Sequence, residues 1–225
     1  MARNLAIVLL VLAALAAVSS ATTLTIHNLC PHPVWPLVTA NSGLPSISDN
    51  TARLDTNALL SLSFPSTFWA GRVVIRTSCG TSSPPRGCWT GEAPPSSVAQ
   101  ITVHDGGNLD RAAYSVSLVD GFNVPMVISP QAVGGGQCPA LGCAVDLNCD
   151  CPPDQRAAEG AACRGTPAYF KNRCPLTRTT PTDVEPVPQS CRAPGELKIV
   201  LCQTSMIQSG AGEADMVIRT VVADN

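Results

Sequence analysis

Charge is scarce in this chain. Lys, Arg, Asp and Glu together make up 13% of its 225 residues, the formal net charge is −2, and no run of Lys or Arg occurs. A protein that tracks phosphates needs a basic stripe to displace counterions, so no nucleic-acid partner is expected, and an anionic membrane surface is a poor candidate. Histidine is scarcer still: His27, His32 and His104 are the whole complement, and none stands near a cysteine pair at finger spacing. That argues against a structural zinc site of the finger type, and no metal or other cofactor is expected. There is no phosphate loop or dinucleotide fingerprint, no Gly-x-Ser-x-Gly elbow for a serine nucleophile, and no Asn-x-Ser/Thr acceptor for N-glycosylation. Helical periodicity is weak throughout, and no internal repeat is visible.

A long apolar run occurs only at residues 5–18, after Met1-Ala2-Arg3-Asn4 and before Ser19-Ser20-Ala21. It is shorter than the roughly 20 residues a membrane helix needs, and no basic stop-transfer cluster follows. One basic residue, an apolar core and small residues at the end have the layout of a secretory signal peptide, cleaved at or beside Ala21. No membrane span is expected, and the mature chain is read as exported. Its length suits one globular unit with a lobe.

Cysteine, proline and glycine are abundant: 11, 20 and 17 residues. All the cysteines follow the apolar run, and in an oxidising compartment such a set reads as a disulfide framework. An odd count leaves at least one thiol unpaired or bonded to another chain. Spacing alone does not yield the pairing. Proline and glycine favour many short strands over long helices. Residues 23–28 alternate polar and apolar and read as a first strand; further candidates are 60–64, 72–76, 99–103, 114–119, 126–129 and 197–201. Residues 140–147, just after Cys138-Pro139, are read as a turn or two of helix. The pattern implies an all-β sandwich.

The chain therefore divides into a signal peptide (1–21), a β-sandwich core (22–137), a lobe crowded with cysteines (138–191), a closing strand of the sandwich (192–202) and a C-terminal tail (203–225). The lobe is interrupted by Pro and Gly and is held by covalent links rather than by a large core of its own. The tail has two readings, an unstructured end and a removable sorting propeptide that would direct the protein to a vacuole.

Several segments, taken in order, resemble the thaumatin-like, or pathogenesis-related, family. Thr25-Ile26-His27-Asn28-Leu29-Cys30 with Val34-Trp35-Pro36 looks like its opening strand, and Arg76-Thr77-Ser78-Cys79 like a later one. Ser117-Leu118-Val119-Asp120-Gly121-Phe122-Asn123-Val124-Pro125-Met126 is the most specific match. Cys143-Ala144-Val145-Asp146-Leu147-Asn148, Tyr169-Phe170-Lys171-Asn172-Arg173-Cys174-Pro175 and Ile199-Val200-Leu201-Cys202 continue it. The resemblance covers about residues 22–202 and implies the thaumatin-like β-sandwich with a small disulfide-rich lobe. Carried onto matching positions, it implies bridges Cys30–Cys202, Cys79–Cys88, Cys138–Cys191, Cys143–Cys174 and Cys151–Cys163. Cys151-Pro152 fits the family's Cys-Pro, which leaves Cys149 as the odd thiol. Closing the Cys30–Cys202 loop should stabilise by about 4–5 kcal/mol in the chain-entropy model. Full-length relatives have sixteen cysteines in eight bridges, so this chain looks like a shortened variant.

Thaumatin-like proteins carry an acidic cleft formed by one Arg, one Glu and three Asp. The resemblance puts the Arg at Arg76 and two of the Asp at Asp120 and Asp183, whereas the Glu falls on Gln100 and the third Asp on Ser115. Hydrolysis of a β-1,3-glucan needs a protonatable carboxyl beside the leaving oxygen and a second carboxylate as nucleophile or base. Gln100 delivers no proton and Ser115 is no carboxylate; Asp105 and Asp110 in the nearby turn are the remaining candidates to stand in. Efficient catalysis is not expected, and no residue is assigned a catalytic role. Binding survives the substitutions. Asp120 and Asp183 accept hydrogen bonds, Arg76 and Gln100 donate them, and Tyr114, Phe122, Tyr169 and Phe170 offer faces to sugar rings. The competing reading makes Phe122 a core residue and Arg76 with Asp120 a structural ion pair. Trp35, Trp69 and Trp89 are read as core fillers. The expected function is that of a secreted, monomeric plant-defence protein of the apoplast that binds β-1,3-glucan or another fungal cell-wall polysaccharide. A weak endo-β-1,3-glucanase and an inhibitor of pathogen hydrolases, such as an α-amylase or protease, are the alternatives the family implies.

Overall fold

A computed structural model describes residues 22–184 and 187–203; the expected signal peptide and nearly all of the expected tail lie outside them. The described chain forms β1 (Thr23–Asn28), β2 (Val34–Ala40), β3 (Leu59–Ser63), β4 (Trp69–Thr77), β5 (Val98–Asp105), β6 (Arg111–Ser117), β7 (Met126–Gln131), β8 (Leu141–Cys143), β9 (Arg156–Ala157), β10 (Ala162–Cys163), helix α1 (Pro167–Arg173) and β11 (Glu196–Leu201). Two sheets stack as a sandwich, five-stranded in the order β3-β1-β11-β7-β8 and four-stranded in the order β2-β4-β5-β6; β9 and β10 pair as a separate small ribbon. No helix among the described residues is long and apolar enough to cross a membrane.

Apolar side chains turned to one face of each strand make the sandwich. In β1 and β11, Leu24, Ile26, Leu197, Ile199 and Leu201 point inward and are fully buried, beside Met126 and Ile128 of β7. From the other sheet Trp69, Val73, Ile75, Ala99, Ile101 and Val116 meet them in one continuous core. A slip of one residue in any of these ladders would turn the whole apolar set to solvent, so the register is firmly specified.

The structure departs from the expected elements at β2, which is not among the candidate strands, and at residues 140–147. Residues 34–40 form a strand although Pro36 interrupts them: β2 lies at the edge of its sheet, where a missing N–H costs no ladder bond. Residues 140–147 are not helical. Leu141 and Cys143 pair with Ile128 and Met126 as β8, and Gly142 (φ 143°) approaches β7 so closely that a Cβ there would sit 2.2 Å from the Met126 carbonyl oxygen. The helix lies at α1 instead. Thr166 caps it, accepting from the Tyr169 amide at 3.2 Å, and Pro167 occupies the first turn, where no amide is needed.

Five disulfides cross-link the described chain: Cys30–Cys202, Cys79–Cys88, Cys138–Cys191, Cys143–Cys174 and Cys151–Cys163. They are the pairs that the family resemblance implies, and Cys149 is a free, exposed thiol. The first of them follows from topology. β1 and β11 run parallel with Asn28 opposite Leu201, so both strands leave the sheet at the same end, and the cysteine just beyond each is brought to its partner. No tight turn can join parallel neighbours; the bond does so across a sequence separation of 172. The variant Cys30→Ala/Cys202→Ala is expected to lose about 2–5 kcal/mol of stability, read from the urea midpoint. A midpoint equal to the parent's would contradict this account of the closure.

Candidate functional site

Away from the core, the four-stranded sheet has a second face. Side chains alternate along each strand, and the register sets Thr39, Arg72, Gln100 and Ser115 side by side on that face across β2, β4, β5 and β6. Arg72 is the one exposed residue of β4. A groove of about 560 Å³ lies over this row, with Asn41 and Ser42 beyond β2 at one side and Arg178 beside β6 at the other. Arg178 is held there by its backbone: its carbonyl accepts from Leu118 N at 2.7 Å, and its amide donates to Val116 O at 2.9 Å. Ser115 is buried, and its hydroxyl donates to Gln100 Oε1 at 3.3 Å. None of the described residues lining the groove is Asp or Glu.

Of the five residues carried over from the family cleft, only Gln100 and Ser115 come together here. Arg76 lies on the same face of β4 as Arg72 but is 4% exposed. Its guanidinium donates to four backbone oxygens: Trp35 at 3.3 Å, Pro85 at 3.1 Å, Pro36 at 3.2 Å and Asn50 at 2.8 Å. Burial pulls its pKa below the ordinary value, partly offset by Glu92. Arg76 thus latches β2 and two loops together, one of them the loop closed by Cys79–Cys88, and among the described residues no ion pair joins it to Asp120. Asp120 is exposed and lines a different concavity of about 280 Å³ with Pro94, Pro95, Arg164 and Gly165. The turn holding it depends on Gly121 (φ 98°), where a Cβ would meet Pro95 Cβ at 2.4 Å. Asp183 closes a loop: its Oδ2 accepts from the Thr179 amide at 2.7 Å, the Thr179 hydroxyl at 3.0 Å and Lys171 Nζ at 3.3 Å. Those donors, the Thr179 amide foremost, hold its carboxyl well below the usual carboxylate range.

The stand-in carboxylates are also engaged elsewhere. Asp110 bonds His104 Nδ1 at 2.7 Å and Asp105 accepts from the Gly106 amide at 2.8 Å; neither lines the groove. Among the aromatics, Phe122 and Phe170 are core residues, and buried Tyr114 donates its hydroxyl to Pro139 O at 2.7 Å. Tyr169 packs under the Arg173 guanidinium, 4.4 Å from its ring centroid, and donates to Asp150 at 2.8 Å. Burial, with Asp150 behind it, pushes the Tyr169 pKa up to about 12. Trp69 fills the core and Trp35 is half-buried, but Trp89 is 61% exposed, which corrects its assignment to the interior.

No motif in the sequence points to Arg72, Asn41 or Arg178. For Arg72 a signal exists: it is the one charge between Ala70-Gly71 and Val73-Val74-Ile75, and such a charge in an apolar strand marks the face that is not core.

The thaumatin family profile matches residues 28–173. The chain is 34% identical to thaumatin-like protein 1 of Arabidopsis thaliana, over 75% of this chain and 72% of that one. It is 29% identical to an osmotin-like protein of Solanum lycopersicum, over 80% and 88% of the two chains. It is 32% identical to a glucan endo-1,3-beta-glucosidase of Prunus avium, over 74% and 75%. The chain belongs to the thaumatin family.

A carboxylate whose folded pKa is depressed adds stability above its unfolded value near 4 and loses it as pH falls through the folded one. Asp183→Asn is therefore expected to lower the melting temperature at pH 6, with the difference from the parent shrinking steadily below about pH 4. A difference that stays constant down to acid pH would show that the carboxylate charge is not what holds the loop.

Proposed function

We propose that this is a secreted defence protein that binds a β-1,3-glucan-type wall polysaccharide in the groove over Arg72, Gln100 and Ser115 without hydrolysing it. The observation that carries the reading is the lining. Hydroxyl and amide groups of Thr39, Asn41, Ser42, Gln100, Thr102 and Ser115 surround an open groove in which no described residue supplies a carboxyl. Sugar hydroxyls pair with such groups, whereas glycoside cleavage needs two carboxyl groups flanking the bond. The volume lies in the range of small-molecule sites. Arg76 and Asp183 are committed to loops, and Asp120 lines a separate concavity, so none of the three is counted in the binding surface.

Export is supported by the five disulfides, which persist in oxidising compartments, and a defence role by family membership. The Prunus avium relative is named for glucan hydrolysis. In this chain Gln100 and Ser115 leave only the recognition half of such a site.

The protein is expected to be retained on insoluble β-1,3-glucan and to release no reducing sugar from laminarin. Gln100→Ala removes one hydrogen-bonding side chain and should weaken retention about fivefold. Retention no greater than that of an unrelated secreted protein would overturn binding. Sugar release that disappears in Asp120→Ala would overturn the non-catalytic reading.

A further inference from the structure

We infer that the groove prefers a polysaccharide that carries carboxylates, one containing uronic acid units, and that Arg72 is the group that grips them. The inference rests on the carbohydrate-binding reading above and adds the class of sugar.

Arg72 stands in the middle of a sheet, exposed, at the floor of the groove. A guanidinium is charged at any physiological pH and presents a planar fork of donors matched to a carboxylate. Its neighbours across the ladder are Thr39 on β2 and Gln100 on β5, both neutral. No ion pair among the described residues involves it. Arg178 also lines the groove, and the described lining holds no acid. The contrast with Arg76, four residues along the same face, is instructive. That guanidinium is buried and turned onto four carbonyl oxygens, whereas Arg72 faces the groove.

A carboxylate entering the groove would meet Arg72 in a charge-assisted, bidentate pair, stronger than the neutral bonds available to a sugar hydroxyl. Hydroxyls on the same ring would reach Gln100, Ser115 and Asn41. The combination favours an acidic sugar over a bare anion, because most of the lining consists of neutral hydrogen-bonding groups. The attraction is local. With a net charge of −2, the protein as a whole does not act as an anion exchanger, so retention of an acidic polymer reports the groove and not the overall field.

The test compares three soluble polymers: polygalacturonate, its methyl ester, which is the same backbone made neutral, and laminarin, a neutral β-1,3-glucan. Polygalacturonate is expected to bind about tenfold more tightly than its methyl ester at about 0.05 M salt, with the gap narrowing toward about 0.5 M. Arg72→Gln should bring the ratio of the two affinities close to one. Gln100→Glu should do the same by a different route, since it sets a carboxylate across the ladder from Arg72 to pair with it; this second variant carries the test should the first fold poorly. Lys198→Gln, on the outer face of the other sheet, changes net charge equally and should leave the ratio as in the parent. Equal affinity for all three polymers would overturn the preference while leaving carbohydrate binding intact. A preference that survives both groove variants would also overturn it, by seating the carboxylate elsewhere. Binding of none of the three would defeat the underlying reading instead.

Discussion

The parallel pairing of the first strand with the last is the constraint on which the rest of the molecule depends. β1 and β11 lie side by side in the five-stranded sheet, and their inward leucines and isoleucines form the centre of the core. Backbone geometry offers no short connection between parallel strands, so nearly the whole described chain lies between them, and Cys30–Cys202 links them just beyond the sheet. On either side of that seam β7 pairs with β11 and β3 with β1. The intervening antiparallel ladder of β2, β4, β5 and β6 becomes the opposite layer. Its inner face completes the core, and its outer face is left to carry a site.

That outer face is where two arginines on one strand part company. Arg76 is desolvated, and its burial is compensated by four carbonyl acceptors, as a buried charge requires. Arg72 stays exposed among neutral side chains. The same logic separates the carboxylates. Asp183 is committed to Thr179 and Lys171, Asp110 to His104, and Asp120 to a smaller concavity. A set that looks like one acidic cleft on family grounds resolves here into latches, a loop closure and a groove whose described lining has no acid.

Much of the fold is legible in the sequence because alternation is strong. Residues 23–28 coincide with β1, and the other expected strands fall within a few residues of β3, β4, β5, β6, β7 and β11, whereas β2, β8, β9 and β10 are not among them. The failures have local causes. β2 is absent from the expected strands, and its Pro36 is tolerated because the strand lies at the edge of its sheet. The apolar run near Leu141 suggests a helix because nothing in its own composition announces that β7 will claim it. Trp89 faces solvent because its neighbour Thr90 is drawn inward by Thr77 and Asn123, at 2.9 Å each; only tertiary contacts decide which of two adjacent residues goes in. Gln100 and Ser115 are found together because they sit opposite each other in a ladder. The dispersal of Arg76, Asp120 and Asp183 depends on loops whose hydrogen bonds no motif encodes.

The most direct test of the whole account is to titrate isotope-labelled protein with a neutral β-1,3-gluco-oligosaccharide and follow backbone and side-chain NMR shifts. Perturbations concentrated at Thr39, Asn41, Arg72, Gln100 and Ser115 are the expected result. Shifts centred on Asp120 and Arg164, with the outer face of the four-stranded sheet unmoved, would contradict it.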